Sequence, residues 1–64
     1  MKISDIKIRH VYKLYVMGKR LKGAVQSING NDLYYELETF PGIQWSPLDV
    51  FALHAEEDLG EVEQ

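Results

Sequence analysis

The strongest constraint on the fold is a series of short segments in which apolar and polar residues alternate, each closed by turn residues. The first covers residues 6–16 and has lysine and arginine between its apolar members. A period of two, carried by β-branched and aromatic residues, predicts a half-buried strand. Gly18-Lys19 follows directly, and a glycine at the first central position favours a tight hairpin.

The second predicted strand covers residues 20–28, and its apolar spacing slips at Gly23. A glycine inside a strand often marks a bulge or a sharp bend, which is one way in which a small sheet curls into a barrel. Residues 29–32, with the sequence Asn-Gly-Asn-Asp, then predict a turn before the next strand.

The third predicted strand covers residues 33–38 and alternates cleanly. Successive side chains of a strand point to opposite faces of the sheet. A second turn is expected at residues 39–42, followed by a short fourth strand at residues 43–45. The core face of the third strand is expected to hold Leu33, Tyr35 and Leu37, and the outer face Tyr34, Glu36 and Glu38.

Residues 46–60 fit two structures. Ser46-Pro47 is a typical helix start, and the apolar residues that follow fit a helical stripe with Gly60 as its C-cap. A helix of that length would place the acidic run at residues 56–58 at its negative end, without a cation to offset it. The favoured expectation is therefore a 3₁₀ turn at residues 47–50, a fifth strand at residues 51–54 and an acidic tail beyond.

Together these segments predict a mainly β fold: a small, five-stranded, strongly bent antiparallel barrel. The alternative is four strands and a C-terminal helix. The 64 residues are expected to form a single domain, with the barrel at about residues 6–54 and the tail at about residues 55–64. A chain this short buries only about 60% of its unfolded surface and often needs disulfides, a metal or oligomerisation. It has no cysteine and its two histidines match no ligand spacing, so we expect a homo-oligomer.

Charge is divided unevenly along the chain. Residues 1–22 hold all seven Lys and Arg residues and one acid, whereas residues 23–64 hold nine acids and no Lys or Arg. Such asymmetry indicates an anionic partner or an acidic tail. The alternative is that the two halves neutralise each other within the fold or across a subunit boundary.

Several functional classes find no support in the sequence. No apolar run is long enough to span a membrane and no secretory signal is evident, so a cytoplasmic protein is expected. Ser46, Asp49 and His54 are the residue types of a hydrolytic triad, but they lie too close together in sequence. Glu36 and Glu38 are better explained as a solvated strand face than as an acid/base pair. We expect no enzyme activity, no metal site and no cofactor.

The first hairpin and the strands around it resemble a known motif. Residues 16–25 read Val-Met-Gly-Lys-Arg-Leu-Lys-Gly-Ala-Val, and Ile28-Asn29 and the apolar strand at residues 33–37 follow. A hairpin glycine, a Leu-x-Gly-x-Val bend, an Asn turn and an apolar strand in this order resemble the first motif of the Sm-like proteins. The bacterial Hfq-like members are the closer likeness, because their turn has the same short length. The resemblance covers residues 11–53.

Membership of that family would imply a ring of five to seven subunits, joined through the edges of the fourth and fifth strands, that binds single-stranded RNA without catalysis. Such a protein would suit a bacterial or bacteriophage accessory role in RNA metabolism. The resemblance implies that the bases are bound by Asn29, Asn31, Asp32 and Trp45, and that phosphate is attracted by Lys19, Arg20 and Lys22.

Two other functions fit the same residues. A Tudor-type or SH3-type module would bind a protein partner through the aromatic side chains of Tyr34, Phe40 and Trp45. A small acidic inhibitor of a nucleic-acid-binding protein would use the acidic second part of the chain as its contact surface.

Overall fold

The computed structural model, which describes residues 1–62, contains five antiparallel strands in one sheet and one short helix. The strand order is β4-β3-β2-β1-β5, so β4 and β5 form the two edges. The mainly β prediction is confirmed, whereas the sheet is open and not a closed barrel. In chain order the elements are a 3₁₀ turn at Ile3–Asp5, β1 at His10–Val16, β2 at Lys19–Asn29, β3 at Asp32–Leu37, β4 at Phe40–Pro47, α1 at Leu48–His54 and β5 at Ala55–Glu61.

The core lies between one face of the sheet and α1. Alternation in the strands supplies its sheet side, because every second residue of β1 and β3 points inward. Phe51 of α1 packs edge-on against Tyr12, with ring centroids 5.8 Å apart, and lies 5.1 Å from the ring of Tyr35. The buried apolar residues are Ile6, Tyr12, Leu14, Val25, Leu33, Phe51, Ala52 and Ala55.

The first strand is shorter than the sequence predicts. Its alternation starts at residue 6, but β1 begins at His10 because Arg9 has a φ of 69° and turns the chain. The hydroxyl of Tyr12 donates to the carbonyl of Asp5 at 2.9 Å and accepts the backbone N–H of Lys7 at 2.7 Å. These bonds hold residues 5–7 against the core as a separate segment.

The favoured structure for residues 47–60 is wrong. Residues 51–54, expected to form a strand, belong to α1, and Ala55–Glu61, expected to be a tail, form β5. The helical spacing of Phe51, Ala52 and Ala55 buries all three side chains. The acidic run that argued against a long helix lies in β5, where it faces basic residues of β1 and β2. Residues 63 and 64 of the expected tail lie outside the described residues.

The fourth strand is longer than predicted. It covers Phe40–Pro47, so the β3–β4 turn consists of residues 38 and 39 and does not extend over residues 39–42. Pro41 is compatible with this because β4 is an edge strand, where a backbone amide needs no ladder partner.

The bulge of β2 does not lie at Gly23. The β2–β3 ladder shifts register between Val25 and Ser27, two residues beyond the glycine. A Cβ at position 23 would lie 2.9 Å from Cδ1 of Leu14 and 3.3 Å from Cδ2 of Tyr35. Gly23 therefore allows these two core side chains to approach the backbone of β2.

We expect Gly23→Ala to lower the free energy of unfolding by about 1–3 kcal/mol, because the new methyl group overpacks the core against a buried leucine. Urea denaturation measures the change. The loss should shrink in a Leu14→Ala background, where the clashing atom is absent. An equal loss in both backgrounds would contradict the packing explanation.

Candidate binding surface on strands β3 and β4

Large apolar side chains stand together on the solvent side of β3 and β4. Tyr34 lies directly opposite Trp45, and Glu36 directly opposite Ile43. Opposite residues of an antiparallel pair place their side chains next to each other on one face. The exposed fractions are 37% for Tyr34, 55% for Ile43 and 55% for Trp45. With Asp32, these residues form what we call the outer β3–β4 face.

The indole of Trp45 is held in place by a carboxylate. Its Nε1–H donates to Oδ1 of Asp32 at 3.1 Å, across the β3–β4 ladder. One ring edge is thereby fixed while more than half of the side chain stays exposed. A ring oriented in this way loses little conformational entropy when a ligand packs on it.

The β2–β3 hairpin lies beside this face. Asn29 pairs with Asp32 across the turn, and Gly30 takes a φ of 63° that favours glycine. The backbone carbonyl of Asn31 accepts the N–H of Leu48 at 2.8 Å and ties the turn to α1. Three of the residues expected to bind bases, Asn29, Asn31 and Asp32, therefore lie together at this turn. The hydrogen bond of Asp32 connects the turn to the fourth, Trp45.

The residues expected to attract phosphate lie elsewhere. Lys19, Arg20 and Lys22 are at the start of β2, whereas Asn29 is at its end. The structure therefore does not bring the two groups of the predicted RNA site together. Lys22 also lies 3.9 Å from a carboxylate oxygen of Glu38.

Arg20 is engaged within the chain. Its guanidinium lies 5.0 Å from the ring centroid of Tyr15, and its Nε–H donates to Glu56 at 3.1 Å. An aromatic face and a carboxylate together bind this cation, through cation–π attraction and a charge-assisted hydrogen bond.

Charge neutralisation between the two halves of the chain is visible at β5. Three consecutive acids each face a basic residue of β1 or β2: Glu56 faces Arg20, Glu57 faces Lys13 at 3.2 Å, and Asp58 faces His10 at 3.0 Å. The alternative explanation of the charge asymmetry, that the halves neutralise each other, therefore holds for the pairs Glu56–Arg20 and Glu57–Lys13.

The outer β3–β4 face keeps its negative charge. Neither β3 nor β4 contains a lysine or arginine, and Asp32 and Glu36 contribute carboxylates to the face. Ile43 was placed in a strand by the sequence but not assigned to a site. Ile43 lies two residues before Trp45, and residues two apart in a strand share a face, so this spacing could have predicted that both lie on one surface.

An open groove of about 510 Å³ continues from Glu36 across the sheet. Its lining includes Glu36 of the outer β3–β4 face and Leu59 of β5, so it extends that face toward β5. It is lined by Val11, Lys22, Ala24, Glu36, Leu37, Glu38 and Leu59.

The polar residues considered for catalysis are engaged separately. Ser46 donates to the carbonyl of Pro47, Asp49 accepts the N–H of Val50, and Nδ1 of His54 lies 3.1 Å from the carbonyl oxygen of Tyr15. Within residues 1–62, no three His, Asp or Glu side chains are grouped so that they could hold a metal ion. Over the same residues, no helix is long and apolar enough to cross a membrane.

Comparison with known proteins found no family model, no curated protein and no solved structure that matches this chain.

The contacts of Asp58 predict a specific pH dependence. Its carboxylate accepts the backbone N–H of Gly60 at 2.8 Å and bonds to His10, and these contacts hold its pKa below the usual 3.8. Because the unfolded chain then binds more protons, this carboxylate stabilises the fold above its unfolded pKa. That contribution is lost as the pH falls through the lower folded pKa.

We expect wild-type protein to be more stable than Asp58→Asn at neutral pH, with the difference shrinking below about pH 4. Urea midpoints measured across this range provide the comparison. Two curves that stay parallel from pH 7 to pH 2 would show that the Asp58 contacts contribute no proton-linked stability.

Proposed function

We propose that this chain is a non-catalytic protein-interaction module that binds its partner through the outer β3–β4 face. The observation that supports this most directly is the adjacent exposure of Tyr34, Ile43 and Trp45 on one side of the sheet. Aromatic side chains are enriched at protein interfaces, and Trp and Tyr are common among the few residues that dominate the binding energy. The indole fixed by Asp32 would act as the rigid anchor of the contact.

The charges around this face favour a protein over a nucleic acid. Binding of single strands combines ring stacking with cations that contact phosphate. Here the exposed rings stand beside the carboxylates of Asp32 and Glu36, and Arg20 and Lys22 face acids at the other end of β2. A phosphate backbone placed along Tyr34 and Trp45 would meet like charges.

We expect capture of partner proteins from cells of the source organism to depend on this face. Trp45→Ala should remove a partner retained by the wild-type chain, because it deletes the central anchor of the surface. Leu53→Ala serves as the matched control, since Leu53 is an exposed apolar residue on α1, away from the face. Mass spectrometry of the captured proteins gives the readout. A partner lost equally in both variants, or in neither, would contradict the proposal.

A second candidate is the Sm-like ring that binds single-stranded RNA. The strand order favours it, because β4 and β5 are the two open edges through which such rings are joined. Open edges offer unpaired N–H and C=O groups, and head-to-tail pairing that closes produces a ring. In this candidate, Asn29, Asn31, Asp32 and Trp45 bind bases and the first hairpin attracts phosphate.

The two candidates differ in mass and in response to RNA. The ring predicts a species of five to seven times 7.4 kDa and RNA affinity that falls as salt rises. The interaction module predicts a monomer or dimer that is indifferent to RNA. Light scattering at low and high salt, followed by titration with a uridine dodecamer, separates them.

A further inference from the structure

We infer that the partner segment bound by the outer β3–β4 face is cationic, a stretch of another protein that places a lysine or arginine side chain against Tyr34 and Trp45. This inference rests on the proposed function and adds the chemistry of the partner. Two sites in the fold support it: the surroundings of Arg20, and the outer β3–β4 face.

The first place shows how this chain binds a cation. Arg20 has the ring of Tyr15 on one side, at 5.0 Å, and the carboxylate of Glu56 at 3.1 Å. The ring attracts the guanidinium through its π-electron quadrupole, and the carboxylate forms the charge-assisted hydrogen bond. All three side chains are partly exposed, so the arrangement persists at a solvated surface.

The second place has the same chemical groups, and β3 and β4 contribute no cation to it. The outer β3–β4 face presents two rings, those of Tyr34 and Trp45, between the carboxylates of Asp32 and Glu36. Within residues 1–62, Glu36 takes part in no ion pair, and the nearest cationic position on β2, Lys22, faces Glu38 instead. Tryptophan is the best of the aromatic residues for cation–π contacts.

The geometry also suits the aliphatic part of such a side chain. Ile43 lies opposite Glu36 and two residues from Trp45, so an apolar surface adjoins both the ring and the carboxylate. Lysine and arginine bury their methylene stems on surfaces of this kind while their charged ends reach polar groups. The Asp32 carboxylate accepts one bond from the indole and has lone pairs left for a second donor.

Basic segments with these properties are common in proteins that bind nucleic acids. The inference therefore connects the aromatic surface with the expectation of an acidic inhibitor. The acidic groups that would contact such a segment lie on β3, because the acids of β5 at residues 56–58 already face basic residues of the same chain.

Trp45 allows a direct test because it is the only tryptophan in the sequence. The probe is a capped Gly-Arg-Gly-Arg-Gly peptide, and its matched control has glutamine in place of both arginines. We expect the arginine peptide to change the emission of Trp45 saturably, with weaker binding at high salt, and the glutamine peptide to have no effect.

Charge-removing variants identify the groups that bind the probe. Asp32→Asn retains an acceptor for the indole and Glu36→Gln retains the size of the side chain, so each should weaken peptide binding about two- to fivefold without changing the fold. Glu61→Gln is the matched control, since it removes one carboxylate from the opposite edge strand, β5. Tyr34→Ala should weaken binding further, because it removes one of the two rings.

The outcomes separate this inference from the proposed function. One outcome would support the interaction module and overturn the cationic partner. In that outcome the partner is lost with Trp45→Ala but is retained at high salt by the double variant Asp32→Asn, Glu36→Gln. Equal binding of both peptides would overturn it as well. A larger response to a uridine dodecamer than to the arginine peptide would favour RNA. A concentration-dependent mass that falls in Glu36→Gln would identify a second copy of this chain as the occupant.

Discussion

The packing of Tyr12 is the interaction on which the other parts of this fold depend. Its ring is fully buried and meets Phe51 of α1 edge-on, while its hydroxyl bonds to the backbone of Asp5 and Lys7. Burial raises the pKa of this hydroxyl above its ordinary value. A buried hydroxyl without partners would cost about 1–3 kcal/mol, so the segment before β1 has to stay beside the ring. The same contact positions α1 over the sheet, and the end of α1 directs the chain into β5 beside β1.

The return of β5 brings the two oppositely charged parts of the chain together. Glu56 lies beside Arg20 of β2 and Glu57 beside Lys13 of β1, so part of the charge asymmetry is neutralised within one subunit. Exposed ion pairs of this type each contribute about 0–1 kcal/mol. Their larger consequence is for binding, because they occupy Arg20, which the RNA hypothesis requires for phosphate, and leave β3 as the strand whose carboxylates stand beside exposed rings.

The two binding hypotheses use Trp45 in different ways. An RNA base would stack on the indole and need phosphate contacts nearby, whereas a lysine or arginine would lie over the indole and need carboxylates. The carboxylates of Asp32 and Glu36 adjoin the ring, and the cations of the first hairpin lie at the far end of β2. Charge complementarity thus favours the cationic partner. The open edges at β4 and β5 are a separate property of the sheet, and head-to-tail pairing through them is what the ring hypothesis requires.

Local sequence patterns determined the strands and turns that depend only on residues near each other in the sequence. Alternation predicted β3 and the outward direction of Tyr34, and the turn residues at positions 29–32 predicted the β2–β3 hairpin, because period and turn chemistry act over a few residues. The first hairpin was expected with Gly18 at its first central position, but its turn is formed by Met17 and Gly18. Only the tertiary structure decided that residues 48–54 are helical and residues 55–61 form β5. That choice depends on Phe51 packing against Tyr12 and on acids meeting basic residues 36 to 48 positions away in sequence. Tertiary contacts also separate the two groups of residues expected to bind RNA. No local pattern reveals that Arg20 faces Glu56 or that Asp32 bonds to Trp45.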